Sequence, residues 1–326
     1  MPSDEVVEDF CTIFDSSFLV LGLAMRRSLR RHCPGARLWV LGMDETVVAQ
    51  LRALGLNGIE VIPVADVETP DLLAAKATRS RGEYCWTLSP VFPEWLLATG
   101  RAGRRVTYVD ADLYFFGSPQ RIFQELEDSG KDVLITEHAY DPAYDQTKTS
   151  GRFCVQFMTF NATSGARRVL AWWREKCVAW CFARFEDGRF GDQKYLDVWP
   201  DIFAEEVHVL RNRFLALAPW NVEFATGKAN PARIAPVLFH FHGLRFFDER
   251  AVRSFVGYRV SRRSQAAYYA PYLEELAWIA AEWPLPSRAA LPLVSRGGWG
   301  AKTRRFVMRA LGREAVHRLG PGLSRS

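Results

Sequence analysis

Residues 105–116 have the sequence RVTYVDADLYFF, which places two carboxylates one residue apart at the end of an apolar stretch. The first part of this stretch has the composition of a buried β-strand, and the turn-forming residues 117–119 follow it. Asp110 and Asp112 would thus lie where the strand emerges, a costly arrangement unless a cation lies between them. Carboxylate oxygens are ligands that hard divalent cations prefer. The stretch therefore predicts a divalent metal site, and the alternative is a solvated turn or a helix N-cap.

The chain as a whole has the size and composition of a globular protein. Its 326 residues are enough for one large domain or two small ones. A composition of 48% hydrophobic and 24% charged residues does not favour disorder. The longest apolar run near the start, residues 18–25, is too short to span a bilayer and follows acidic residues, which indicates a buried helix rather than a secretory signal. Six scattered cysteines favour reduced thiols in a cytoplasmic protein, and no second pair completes a zinc site.

The basic residues are concentrated in the tail. Residues 285–326 carry +8, so the first 284 residues carry −3. In a helix over residues 301–319, Lys302, Arg305, Arg309 and Arg313 would share one face, which suits peripheral contact with the anionic inner face of a membrane. The alternative is a solvated helix packed on the body of the protein. No nucleic-acid-binding module accompanies this charge, so nucleic acid is not an expected partner.

The order of elements predicts the fold class. Strands near residues 10–14, 38–42, 60–64 and 105–109 alternate with helices, which indicates an α/β fold with a mostly parallel sheet flanked by helices. Further strands are predicted at 132–136, 153–160 and 237–242, and helices at 167–185, 265–283 and 301–319. Ligands of such sheets bind beyond the carboxyl ends of the strands, where the Asp pair would lie.

A second candidate cluster lies at residues 238–245, which have the sequence LFHFHGLR. On a strand, His240 and His242 point to the same face. Two imidazoles followed by Gly243, which permits close backbone approach, and by Arg245 would suit a metal site or a phosphate contact. The alternative is a pair of hydrogen-bonded structural histidines.

Two other stretches are candidate ligand contacts. Asp192 and Gln193 follow Gly191. They would either take part in catalysis or begin a helix in which Asp192 is the N-cap. Residues 137–151 form a long polar and aromatic loop, and loops of this length are often binding loops or lids. We interpret this loop as a contact for the donor sugar or the acceptor.

Together these clusters resemble the motifs of the GT-A nucleotide-sugar glycosyltransferases, in particular the retaining glycogenin-like and lipopolysaccharide galactosyltransferase-like group. The resemblance covers residues 10–246. Residues 108–112 are similar to the group's Tyr-hydrophobic-Asp-Ala-Asp motif, in which Asp110, Ala111 and Asp112 would bind the metal and the diphosphate. Residues 240–243 are similar to its His-x-x-Gly motif, which implies His240 as the third ligand of Mn2+ or Mg2+, with His242 as the alternative.

The resemblance also implies roles for three other positions. Asp192 and Gln193 are similar to the group's Asp-Gln pair beside the anomeric carbon of the donor and would be the catalytic residues. The segment with Thr12 and Asp15 falls where the group binds the nucleotide base.

Two departures from the group's pattern affect the diphosphate contacts. The Lys that usually follows the His-x-x-Gly motif is replaced by Phe246, and Arg245 stands one place earlier. We expect Gly243 and Arg245 to contact the diphosphate instead, since a guanidinium binds phosphate well. The group also has an Arg in the helix before the metal strand, where this chain has Trp86, and we expect Arg81 or Arg79 to substitute for it.

The resemblance implies a GT-A, Rossmann-like domain over residues 1–250, with a nucleotide-binding part near 1–130 and an acceptor-side part near 131–250. Residues 251–326 would form a helical extension with a basic tail. The implied activity is that of a bacterial, hexosyltransferase-like enzyme of polysaccharide biosynthesis. It would move a sugar from a nucleoside diphosphate donor, by resemblance a UDP-sugar, to a glycan or glycolipid acceptor with retention of configuration. The alternatives are an inactive sugar-nucleotide-binding protein and a nucleotidyltransferase.

Overall fold

The protein is described by a computed structural model over residues 7–227, 235–248, 251–283, 308–309 and 313–319. The strands are β1 (Asp9–Phe14), β2 (Arg37–Gly42), β3 (Ile59–Pro63), β4 (Arg105–Val109), β5 (Leu113–Phe115), β6 (Val133–Glu137), β7 (Phe153–Asn161), β8 (Val207–Val209), β9 (Ala216–Leu217), β10 (Leu238–His240), β11 (Arg245–Asp248), β12 (Ala251–Val256) and β13 (Glu314–Arg318).

The helices are α1 (Leu19–His32), α2 (Glu45–Leu54), α3 (Pro70–Lys76), α4 (Arg81–Leu88), α5 (Val91–Ala98), α6 (Gln120–Ser129), α7 (Thr147–Ser150), α8 (Ser164–Ala179), α9 (Trp199–Ile202), α10 (Val222–Thr226), α11 (Arg262–Ser264) and α12 (Ala270–Glu282). A π-helical segment, Gln265–Tyr269, joins α11 to α12. Short 3-10 segments include Pro142–Tyr144, so the loop at residues 137–151 has local structure in addition to α7.

The central sheet has seven strands in the order β3-β2-β1-β4-β7-β6-β8. Strands β3, β2, β1 and β4 run parallel, β7 is antiparallel to both of its neighbours, and β8 is parallel to β6. The predicted α/β class with a mostly parallel sheet is therefore confirmed. The parallel pairing brings the carboxyl ends of β1, β2 and β4 to one edge, and that edge carries the Asp pair.

Burial on both faces of the sheet explains why β1 is an almost continuous apolar run. Alternate side chains of β1 enter two different cores. Phe10 and Phe14 pack in a cluster with α1, α2 and α6, whereas Cys11 and Ile13 pack in a cluster with α4, α5 and α8. A sheet covered by helices on both sides leaves its strand ends as the open surface for ligands.

A second sheet, β5-β10-β9, continues directly from the Asp pair. Helix α12 packs behind it, where Tyr272 stacks on Phe241 with ring centroids 3.8 Å apart and Glu275 accepts hydrogen bonds from Arg31 and from Tyr114 of β5. Helix α12 therefore shares the core of the sheet, while the domain boundary at residue 250 stays a prediction.

The prediction of a terminal helix over residues 301–319 is wrong at Glu314–Arg318. These residues form β13, which pairs antiparallel with β12 in a third sheet. The free edge of β12 supplies backbone hydrogen-bond partners, and such tertiary pairing overrides local helical propensity. Arg313 lies just before this strand, and the part of the predicted basic face at Lys302 and Arg305 lies outside the described residues.

Residues 19–25 of the apolar run form the buried start of α1, as predicted. No helix in the described ranges is both long and apolar enough to cross a bilayer. All six cysteines are free thiols, and every one except Cys85 is buried.

Candidate functional site

The two sheets together assemble the candidate metal centre. Strand β4 ends at Val109, Asp110 follows it, and Asp112 lies in the turn that leads into β5. Strand β5 pairs antiparallel with β10, and this register puts His240 opposite Leu113. Residues far apart in the sequence are therefore brought to one place by strand pairing.

The three side chains form one compact group. The Nε2 atom of His240 lies 3.1 Å from Oδ1 of Asp112 and 3.7 Å from Oδ2 of Asp110. One possible ligand atom from each residue lies within 4.8 Å of the other two, and within the described part of the chain no other set of His, Cys, Asp and Glu side chains meets this criterion.

The charges of this group are strongly coupled. Burial raises the pKa of the Asp110 carboxyl. Burial acts in the same direction on Asp112, but the adjacent His240 cation outweighs it and lowers the pKa of that carboxyl. Burial opposes the charge of His240 as well, yet the two carboxylates hold its pKa well above the ordinary value. The positive charge of His240 therefore offsets part of the negative charge of the two carboxylates.

The donor set fits a hard divalent cation. Two carboxylate oxygens and one imidazole nitrogen suit Mn2+ or Mg2+. The Nδ1 atom of His240 lies 3.0 Å from Oε1 of Gln156, an oxygen that can only accept, so Nδ1 carries the proton and Nε2 faces the carboxylates. A metal-binding histidine commonly uses its second nitrogen in this way.

Asp192 is buried, with 5% of its surface exposed, and is near enough to Asp110 to interact with its charge. Burial raises the pKa of its carboxyl to about 7, the Ser89 hydroxyl beside it lowers that pKa, and the charge of Asp110 raises it. Gln193 is oriented by a 2.7 Å hydrogen bond that its Nε2 donates to the carbonyl of Ser150, which leaves its amide oxygen free of that contact. Asp192 is not a helix N-cap, since the 3-10 segment that follows begins after Gln193.

The raised pKa of Asp192 predicts a pH-dependent stability. The folded protein holds this proton up to pH 7, whereas the unfolded chain releases it near pH 4, so this group destabilises the fold as pH rises between those values. We expect the free energy of unfolding of the metal-free protein to fall by about 2–3 kcal/mol from pH 5 to pH 8 because of Asp192. Urea denaturation of wild type and Asp192→Asn across this range isolates the contribution, and parallel curves for the two proteins would contradict it.

The residues expected at the nucleotide base lie at the neighbouring strand end. Asp15 follows β1 and accepts a 3.0 Å hydrogen bond from Arg81 at the start of α4. Thr12 is buried, and its hydroxyl has no hydrogen-bond partner. Arg79, the other candidate substitute for the group's Arg, donates to Thr87 and to the backbone of Val178. Arg81 is therefore the more accessible of the two to a ligand, with 69% of its side chain exposed.

The residues after His240 leave the strand earlier than predicted. Strand β10 ends at His240, so His242 lies in the following turn, with its ring 5.5 Å from that of His240. His242 is exposed in this turn. Partial desolvation of its ring, with the nearby His240 cation, lowers the pKa of the ring to about 4. Gly243 adopts the left-handed conformation that favours glycine, with φ of 78°. The charge of Arg245 lowers the pKa of Asp112, whereas Phe246 is buried in the core.

An aromatic cluster borders the metal group. The ring of Trp220 lies 5.4 Å from that of His240, and its Nε1 donates to the carbonyl of His138. Tyr258 lies 6.2 Å from Trp220 and 5.2 Å from Tyr144 of the loop at residues 137–151. The sequence predicted a role for this loop but not for Tyr258 and Gln156, because each stands alone in a segment without a recognisable motif.

Comparison with known proteins identifies relatives and the fold. No family model matches the chain. Two uncharacterized proteins of Bacillus subtilis strain 168 are each 30% identical to it: YfnF over 255 residues, which cover 75% of this chain and 84% of YfnF, and YfnD over 283 residues, which cover 83% and 89%.

Among solved structures, an active-site glutamine-to-glutamate mutant of LgtC matches with a TM-score of 0.51 and 17% identity, over 87% of this chain and 100% of LgtC. The apo structure of the bifunctional glycosyltransferase WbbM matches with a TM-score of 0.51 and 12% identity, over 87% of this chain and 51% of WbbM. At these identities the likeness shows the fold. The chain belongs to the family of YfnF and YfnD, and it has the GT-A glycosyltransferase fold, resembling LgtC-like enzymes.

Proposed function

We propose that the protein is a metal-dependent glycosyltransferase that moves a sugar from a nucleoside diphosphate donor to a glycan or glycolipid acceptor. The observation that carries the proposal is the group of Asp110, Asp112 and His240 at the carboxyl end of β4 in a GT-A fold. Ligands of open α/β sheets bind at this edge, and these three side chains supply a donor set for Mn2+ or Mg2+.

The reaction breaks the bond between an anomeric carbon and a diphosphate, so negative charge develops on the departing oxygens. Asp110, Asp112 and His240 would hold a divalent cation, whose charge would stabilise the charge on those oxygens. Arg245 would add a guanidinium on the same side, since its charge already reaches Asp112. Gly243, which has no side chain, and Ala111, between the two carboxylates, would let the diphosphate approach the backbone.

Asp192 and Gln193 would act at the sugar. The amide oxygen of Gln193 would face the electron-poor anomeric centre, because its nitrogen is held by Ser150. A glutamine is also an active-site residue in LgtC, as the mutant structure indicates. Buried Asp192 would bind sugar hydroxyls or stabilise that centre when ionised. This arrangement suits retention of configuration, in which the acceptor arrives on the face of the leaving group.

The donor base and the acceptor would occupy opposite sides of this centre. Asp15, Arg81 and the unpaired hydroxyl of Thr12 would contact the base, for which uracil is our proposal. The half-buried aromatic rings of Tyr144 and Tyr258 would hold the acceptor, because aromatic faces suit the apolar faces of sugars.

A panel of nucleotide sugars with Mn2+ tests the proposal. We expect one donor, a UDP-sugar, both to raise the melting temperature and to be hydrolysed slowly in the absence of an acceptor, with release of UDP. Omission of Mn2+ and addition of EDTA are the controls. Release of pyrophosphate from a nucleoside triphosphate and a sugar phosphate would instead identify a nucleotidyltransferase. A donor that stabilises the fold but is never consumed, with any acceptor, would identify a binding protein.

A further inference from the structure

We propose that Gln156 is a positioning residue that prepares His240 to bind the metal of the candidate site. The inference rests on the proposed metal site and goes beyond it, because Gln156 belongs to none of the motifs that predict that site. Gln156 lies in the middle of β7 and is 1% exposed. A polar side chain buried so deeply needs a hydrogen-bonding role.

Gln156 contacts two of the three proposed ligands. Its backbone carbonyl accepts a 3.1 Å hydrogen bond from the backbone N–H of Asp110. Its side-chain Oε1 lies 3.0 Å from Nδ1 of His240. One residue of β7 therefore fixes both where Asp110 leaves β4 and how the His240 ring is turned.

The side-chain amide of Gln156 determines which nitrogen of His240 can bind a metal ion. Because an amide oxygen only accepts, Nδ1 must carry the proton. Nε2 then faces Oδ1 of Asp112, 3.1 Å away, so it is the nitrogen that would bind a metal ion. The Trp220 ring, nearly perpendicular to that of His240 at 5.4 Å, restricts the ring further. Nδ1 of His240 therefore keeps its proton, hydrogen-bonded to Gln156, and Nε2 is the nitrogen available to a metal ion.

Variants of β7 separate this role from simple packing. Gln156→Leu keeps the size of the side chain but removes the acceptor. Gln156→Glu keeps an acceptor and strengthens it. Thr159→Val is the matched control, since Thr159 is also buried on β7 and its hydroxyl pairs with that of Thr107, 3.0 Å away, rather than with a ligand. The readout is Mn2+ affinity from electron paramagnetic resonance, with and without UDP, and thermal denaturation confirms that each variant is folded.

We expect Gln156→Leu to weaken Mn2+ binding by about 10–100-fold and Gln156→Glu to bind at least as tightly as wild type. Thr159→Val should lower stability without a change in Mn2+ affinity. If Gln156→Leu does not fold, Gln156→Glu decides alone, because loss of Mn2+ binding in that variant would mean that the Gln156 amide donates to His240 and would overturn the proposal.

Three further results would overturn the proposal. Wild-type affinity in Gln156→Leu would overturn it and leave the proposed function intact, provided that Asp112→Asn abolishes binding. An equal loss in Thr159→Val would show a general effect of disturbing β7. Absence of Mn2+ binding by the wild type under both conditions would overturn this inference and the metal dependence of the proposed function together.

Discussion

Replacement of Asp112 by Asn is expected to lower the rate of sugar transfer at least about 100-fold, a loss typical of removing one group that stabilises developing charge. Asp112 is the carboxylate nearest to His240, and its lowered pKa keeps it ionised across the neutral range. An amide at this position has nearly the same shape but no charge to hold a cation. The loss should appear in kcat and in Mn2+ affinity, whereas the melting temperature should change little.

Asp9→Asn is the matched control for this experiment. Asp9 is also a buried aspartate, but it lies at the opposite end of β1, where it accepts hydrogen bonds from Arg37, Trp39 and the backbone of Gly103. The control should cost stability and leave the rate per folded molecule unchanged. Transfer by Asp112→Asn at the wild-type rate would exclude Asp112 as a ligand of a catalytic metal.

Replacement of Arg105 by Ala is expected to lower the free energy of unfolding by about 3–5 kcal/mol, because it leaves a buried carboxylate without its main partner. Arg105 is 2% exposed and makes two hydrogen bonds to Glu8, at 2.6 and 2.7 Å. Glu8 is equally buried, and its pKa is lowered because these arginine contacts outweigh the effect of burial. The guanidinium also lies 4.0 Å above the ring of Phe123.

Arg104 is the adjacent control, and the comparison is made by urea denaturation. It also lies 2.6 Å from Glu8, but its side chain is 48% exposed, so water replaces the lost contact. Arg104→Ala should cost less than about 1 kcal/mol. Equal costs for the two variants would show that burial does not determine the strength of this pair.

Much of the fold follows from the sequence because its signals are local. The apolar strands of the parallel sheet are bounded by turn residues, and the helices between them have their own caps, such as Asp44 before α2 and Ser80 before α4. The Asp pair could be placed at the carboxyl edge for the same reason, since it directly follows a strand. The His pair was a candidate from its own pattern, but its link to the Asp pair needed the resemblance, because His240 lies 128 positions after Asp112.

What escaped prediction depends on contacts between distant segments. Strand β13 forms because it pairs with the edge of β12, and the sequence of residues 314–318 contains no signal for that pairing. Gln156 sits in a stretch that reads as an ordinary buried strand, and its role emerges only when β7 lies between β4 and β6. Arg245 and Arg81 are the cations near positions where the group's Lys and Arg are absent, and their roles toward a donor stay predictions.

The position of a bound metal ion decides whether Asp110, Asp112 and His240 form a metal site. Crystals grown with Mn2+ and UDP and measured at a wavelength where manganese scatters anomalously reveal the ion independently of any assumption about ligands. We expect one strong anomalous peak within about 2.5 Å of carboxylate oxygens of Asp110 and Asp112 and of Nε2 of His240. An anomalous peak elsewhere, or none at this group while UDP is bound, would contradict it.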